Sequence, residues 1–151
     1  MRSKDVENLR IEFMNRKHVE QVLVLQQSLS VFMPRHDHDE LWTTFSTQDN
    51  VFPVVALLNA EVVGSASLVI ERKLRGGKVG FIEDVVVKES NRHKGIGKAL
   101  VERLFELATS KGCYRLSLEC QPHNVAFYQN SQFCVSGFSM KRIMALEQIQ
   151  S

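Results

Sequence analysis

Cysteine, proline and tryptophan are scarce in this chain, with three, three and one respectively in 151 residues. Cys113, Cys120 and Cys134 make an odd set with no CxxC pair, which excludes a disulfide framework and points to reduced thiols inside a cell. The five histidines offer no ligand spacing beyond His36-x-His38, which reads as a solvated loop, so no metal site is expected. No apolar run reaches membrane-spanning length, and the polar N-terminus lacks the apolar region of a signal peptide. A formal charge of +2 provides no electrostatic footprint for nucleic acid or an anionic membrane. Repeats, low-complexity tracts and linkers are missing too, so residues 1–151 are expected to form one domain.

What is present is an ordinary globular composition, 44% hydrophobic and 24% charged, carrying clear periodicities. Leu9, Ile11 and Phe13 alternate as a first strand. Asn15 is placed to cap a helix bearing Val19, Val22, Leu23, Leu25 and Leu29. A second short helix presents Leu41, Trp42 and Phe45. Two strands meet in a hairpin near Asn59-Ala60, and "VGFIEDVVVK" forms a long strand whose Val85–Val87 run is apolar on both faces. Ile96, Leu100, Leu104, Leu107 and Ala108 define a helix stopped by Lys111-Gly112. "CYRLSLEC" then reads as a strand, "NVAFYQN" as a short helix, and "FCVSGFSMKRIMAL" as a last strand or pair. The order β-α-α-β-β-β-α-β-α-β predicts an α/β or α+β domain on a mixed sheet.

The segment between the long strand and the long helix carries the chemistry. Arg92, His93, Lys94, Gly95, Ile96, Gly97 and Lys98 make a cationic, glycine-bearing turn into a helix N-terminus. The first helix amides lack intrahelical acceptors and sit at the positive end of the dipole, so a pyrophosphate fits there. The turn lacks the first glycine of a dinucleotide fingerprint and the Gly-Lys-Ser/Thr of a P-loop.

This pattern resembles the acetyl-coenzyme A turn of the GNAT superfamily of N-acetyltransferases, and the resemblance extends from Leu9 to about Met144. "IEDVVV", "GCYRLSLEC" and "NVAFY", in that order, are similar to the glucosamine 6-phosphate N-acetyltransferases in particular. The resemblance implies a GNAT fold: a mixed, mostly antiparallel sheet whose central strands splay to admit the pantetheine arm. It also implies direct acetyl transfer from acetyl-CoA, with no metal, by a homodimer whose sites share residues between subunits. "QSLSVF" departs from the family's commoner Leu-Thr segment, leaving Ser30 where a threonine is usual.

Several residues acquire roles on that basis. Tyr128 is the expected acid for the departing thiol, against the plainer reading of a core tyrosine beside Phe127. Val85 and Val87 are expected to line the coenzyme arm, with Asn130 nearby; Asn124 either contacts the coenzyme or caps the short helix. Glu83 and Asp84 are adjacent on a strand, so regular alternation sends them to opposite faces, one toward the sugar or amine. Glu119 is expected to position the amine. Lys73, Arg75, Tyr114, Arg115 and Arg142 are the candidates for a sugar phosphate, since arginine suits bidentate phosphate recognition.

Two other readings compete. A GNAT enzyme acting on protein N-termini or lysines shares the turn and Tyr128 but has no need of Glu83-Asp84 or Arg115. A CoA-binding module without turnover has no need of Tyr128 or Glu119. A cytoplasmic location is expected; a peroxisome-like organelle is the alternative, because "RIEFMNRKHV" falls one residue from an N-terminal peroxisomal signal while "QIQS" is no C-terminal one.

Overall fold

The computed structural model describes residues 8–29 and 37–144. Its order is β1 (Leu9–Phe13), α1 (Val19–Gln26), α2 (His38–Ser46), β2 (Val51–Leu58), β3 (Glu61–Arg72), β4 (Lys78–Val87), α3 (Ile96–Ser110), β5 (Cys113–Leu118) and α4 (Val125–Gln129). Single 3-10 turns over Arg16–His18, Glu89–Asn91 and Pro122–Asn124 lead into α1, the cationic turn and α4. The strands lie in the order β1-β2-β3-β4-β5. All neighbours are antiparallel except β4 and β5, which are parallel and joined through α3.

Local signals account for most boundaries. Asn15 caps the 3-10 turn before α1, its side chain accepting from the Lys17 amide at 3.1 Å while its own amide donates to His18 Nδ1 at 3.1 Å. α1 is shorter than the periodicity suggested. It buries Val19 and Val22 but ends before Leu29, which is 45% exposed. Asn59 and Ala60 turn the β2–β3 hairpin with positive φ (49° and 68°), the backbone twist a two-residue hairpin favours. Lys111 and Gly112 end α3, with Gly112 at φ 81°.

α3 packs across one face of the sheet. Ile96, Leu100, Val101, Leu104 and Ala108 are buried among Val54, Ala56, Val63, Ala66, Leu68, Ile70 and Ile82. A wholly buried aliphatic side chain contributes roughly 1.5–3 kcal/mol, so this stripe fixes the helix and the place of its N-terminus. Close approach is built in at Gly80, where an added Cβ would stand 3.0 Å from Leu68 Cδ1 and 3.1 Å from Leu116 Cδ1. A smaller cluster of Val22, Val55, Leu57 and Val62 holds α1 on the other face.

The expected last strand is a correction. Residues 133–144 form no regular element. Val135, Phe138, Met140, Ile143 and Met144 are 66–101% exposed, so the apolar residues of this stretch find no strand to pair with and no core to cover within the described residues.

Candidate active site

The site is built where β4 and β5 part. Their ladder begins at Lys78 and Cys113 and stops at Ile82 and Leu118. β4 continues five residues, to Val87, with β3 on one side and no β5 partner on the other. The backbone from Glu83 to Val87 therefore presents a free edge to a cleft between two diverging strands. An extended ligand arm carrying amides can pair along such an edge.

A β-bulge governs what points into this cleft. Ser67 pairs with Glu83 and Ser65 with Val86, so β4 holds one residue more than β3 across this interval. The extra residue sits at Asp84, whose φ of 54° is left-handed. Upstream, Gly80 and Ile82 face the α3 cluster; downstream, Val85 and Val87 do. The alternation that would send Glu83 and Asp84 to opposite faces does not run through the bulge. Both are exposed, and Glu119, one residue beyond the end of β5, completes the group. Burial, then the charges of Asp84 and Glu119, push the Glu83 carboxyl above its ordinary value. Three carboxylates thus gather at the mouth of the cleft, where they favour a cationic amine.

The cationic turn closes the same end. His93 (φ 63°) and Gly95 (φ 83°) take left-handed conformations, and Gly95 is the N-cap of α3 without a side-chain capping bond. The first amides of the helix are left to face outward. Arg92 Nε donates to the Val87 carbonyl at 3.3 Å, pinning the turn to the end of β4; Arg92, His93 and Lys98 are exposed. Gly97 has a reason that sequence reasoning missed. A Cβ there would lie 3.1 Å from Phe127 Cζ and 3.6 Å from Val87 Cγ2, so its bareness admits an aromatic ring as well as leaving room for a ligand. The only sequence signal was the neighbouring Phe127-Tyr128 pair.

Tyr128 projects from α4 and is half-buried against the α3 cluster. Its ring meets Phe127 edge-on at 4.9 Å and Phe133 at 6.0 Å. Burial first, and the nearby Cys120 second, raise its phenol above the ordinary value, so it keeps its proton at neutral pH. Among the described residues its hydroxyl makes no hydrogen bond, which leaves it free to donate to a ligand. Asn124 stands at the N-cap position of α4 with no side-chain capping bond, so the helix-cap alternative is not realised. Asn130 is the exposed C-cap residue.

The phosphate candidates fall elsewhere. Arg75 Nη2 donates to Tyr114 Oη at 3.3 Å, Arg115 stacks 5.9 Å from the Tyr114 ring, and Lys73 pairs with Glu71 at 2.8 Å. This cluster lies at the end of the sheet where β4 begins. Arg115 pairs with Val79, four residues from Glu83, or about 13 Å at a strand rise of ~3.3 Å per residue. Arg142 is on the exposed segment 133–144, and Ser30 lies outside the described residues. Among the described residues no group of three or more histidine, cysteine, aspartate or glutamate side chains is arranged to hold a metal ion. No helix there is long and apolar enough to cross a membrane.

A splayed parallel pair, a helix N-terminus at its mouth and a tyrosine on the adjoining α4 match the arrangement that the resemblance to the GNAT acetyltransferases implies. The model of the Acetyltransferase (GNAT) family matches residues 19–133, and the chain belongs to that family, whose cosubstrate is acetyl-CoA. A glucosamine 6-phosphate N-acetyltransferase of Candida albicans is 34% identical over 110 residues, spanning 70% of this chain and 74% of that protein. Another, of Trypanosoma brucei brucei, is 50% identical over 74 residues, 48% of this chain and 50% of that one. The crystal structure of the glucosamine-6-phosphate N-acetyltransferase of Arabidopsis thaliana superposes with a TM-score of 0.83 at 27% identity, covering 91% of this chain and 99% of that one.

Proposed function

We propose that this protein transfers the acetyl group of acetyl-CoA to the 2-amino group of D-glucosamine 6-phosphate. The product, N-acetylglucosamine 6-phosphate, would supply UDP-N-acetylglucosamine synthesis. The observation that carries the reading is the carboxylate group Glu83, Asp84 and Glu119 at the mouth of the β4–β5 cleft, together with a protonated Tyr128 packed against the cluster that Val85 and Val87 join. The names of the relatives supply the sugar.

The bound coenzyme supplies the activated thioester. The free edge of β4 at Val85 and Val87 fits its amide-bearing arm. The turn from Arg92 through His93, Lys94, Gly95, Ile96 and Gly97 to Lys98 offers amides and cations to its pyrophosphate. Asn124 and Asn130 flank Tyr128 on α4 and are placed to hold polar parts of the arm. Glu83 and Asp84 draw in the ammonium form of the sugar, and Glu119 orients its nitrogen. The amine of a 2-amino sugar is weakened by neighbouring oxygens, so a part-neutral fraction at neutral pH needs no strong base. Tyr128 donates its proton to the departing sulfur, which avoids release of a bare thiolate.

The phosphate site supports a homodimer. Within one protomer Lys73, Arg75, Tyr114 and Arg115 sit away from the carboxylates, and Arg142 rides on an exposed apolar segment. A second copy covering that segment would bury Val135, Phe138, Met140 and Ile143 and bring one subunit's cations toward the other's cleft. A cytoplasmic location fits a soluble sugar phosphate and a coenzyme thioester as reactants.

Thiol release from acetyl-CoA, measured with glucosamine 6-phosphate, glucosamine and a panel of peptides, tests the assignment. Glucosamine 6-phosphate should exceed free glucosamine by about 10²–10⁴ in kcat/KM, the worth of two charge-assisted hydrogen bonds at roughly 1.5–3 kcal/mol each. Equal rates on the two sugars, or preference for a peptide, would overturn the sugar-phosphate reading.

A further inference from the structure

The aromatic pair on α4 reaches two parts of the site, beside the packing of Tyr128 itself against the α3 cluster. Phe127 reaches the first turn of α3, where its Cζ would stand 3.1 Å from a Cβ on Gly97. The same ring makes an edge-on contact with Tyr128, centroids 4.9 Å apart and planes at 80°. Tyr128 is held on its other side by Phe133, whose amide donates to the Tyr128 carbonyl at 3.2 Å. Phe127 is nevertheless 39% exposed and belongs to no buried cluster, so core packing does not account for it. Its two definite contacts are the bare backbone of the coenzyme turn and the ring of the proton donor.

We propose that Phe127 is a positioning residue: it sets the distance between the N-terminus of α3 and the Tyr128 hydroxyl by lodging against Gly97. The glycine acts as the socket and the phenyl ring as the spacer. A methyl group in the socket cannot be absorbed there without the ring giving by a few tenths of an ångström. Because edge-on aromatic pairs hold a preferred geometry, Tyr128 follows. The proposal rests on Tyr128 as the acid of the reaction described above.

Two readouts separate this proposal from that reading. Tyr114 and Tyr128 are the only two tyrosines in the sequence, so a ring-labelled tyrosine NMR spectrum has one signal for the site and one internal control. Gly97→Ala should shift the Tyr128 resonance and leave Tyr114 in place, and in the Phe127→Leu background it should shift neither. In turnover, Gly97→Ala should lower kcat about threefold to tenfold, since misplacement by 1 Å can cost 10²-fold. Phe127→Leu should also lower kcat, and adding Gly97→Ala to it should cost nothing more. Additive losses in kcat, or a Tyr128 signal indifferent to Gly97→Ala, would overturn the proposal. The NMR arm needs no substrate, so a failure of the sugar assignment would leave it readable. Should Gly97→Ala not fold, Phe127→Leu alone still decides. It must lower kcat while leaving the Kd for coenzyme A within about twofold, and an unchanged kcat refutes the spacer role.

Discussion

Replacing Tyr128 by phenylalanine removes one oxygen and little else. The ring is held edge-on between Phe127 and Phe133, and a phenylalanine keeps both contacts. The hydroxyl has no protein partner among the described residues, so its removal strands no buried donor or acceptor, and the fold should be unaffected. The lost function is proton donation to the leaving sulfur. A positioned acid contributes about 10²–10⁴ in rate, which at ~1.36 kcal/mol per tenfold is roughly 2.7–5.4 kcal/mol of barrier. The loss should fall on kcat, leaving coenzyme affinity nearly intact, because the hydrogen bond strengthens only as the thiolate forms. Burial raises the phenol above its ordinary value of 10.0, so the wild-type rate should fall on the alkaline side only above that pH. Steady-state thiol release across pH, with coenzyme binding measured by calorimetry, checks both parts. A Tyr128→Phe enzyme with wild-type kcat would reduce Tyr128 to a packing residue and refute the acid role.

Two further outcomes follow from the titrating groups. Glu83 has a raised carboxyl, so its charged form is disfavoured in the fold, and stability is lost as pH rises through the ordinary value of 4.5 and the raised folded one. Glu83→Gln should therefore leave Tm at neutral pH equal or higher, by thermal melting, while lowering kcat/KM for glucosamine 6-phosphate; a lower Tm would mean that the carboxylate is structural. His18 is 3% exposed, and burial followed by the Lys17 charge lowers its pKa while its Nδ1 accepts the Asn15 amide. Its contribution is fully present above 6.5, the ordinary value, and is lost as pH falls through the depressed folded value. Tm should thus decline as pH falls below 6.5, and His18→Gln should flatten that decline; an unchanged slope would assign it to other groups.

The elements with strong periodic signals were legible from the residues alone. α3 announced itself through Ile96, Leu100, Leu104 and Ala108, and the hairpin through the spacing of β2 and β3 about Asn59-Ala60. The cationic turn was legible for the same reason, since a buried strand and a striped helix bracket it. Four features were not. The bulge at Asp84 leaves no mark in a run of apolar residues, because either register keeps Val85, Val86 and Val87 apolar. The stretch after Phe133 has the composition of a strand, but pairing depends on a neighbour that a single sequence does not reveal. Gly97 looked like room for a ligand because glycine records only that space is needed, not that Phe127 fills part of it. The separation of Arg115 from Glu83 likewise follows from parallel pairing and register, which composition does not fix.

The bulge in β4 behaves like a dislocation in a crystal row. On either side of Asp84 the strand is regular, but the two halves are out of step by one position, so even-numbered residues face α3 before it and odd-numbered ones after. Removing that single residue would restore a perfect ladder and keep both halves facing as they do, with Val85 and Val87 following Ile82 in regular alternation. Flattening the bulge with Asp84 retained is what would do the damage: Val85 and Val87 would rotate out of the apolar layer and Val86 would rotate in. A one-residue deletion at position 84 should therefore cost the acidic side chain and the local twist of the bulge, and leave the facing of the valines unchanged. The two halves of β4 are free to diverge in sequence as separate strands, provided each keeps its own inward-facing alternation.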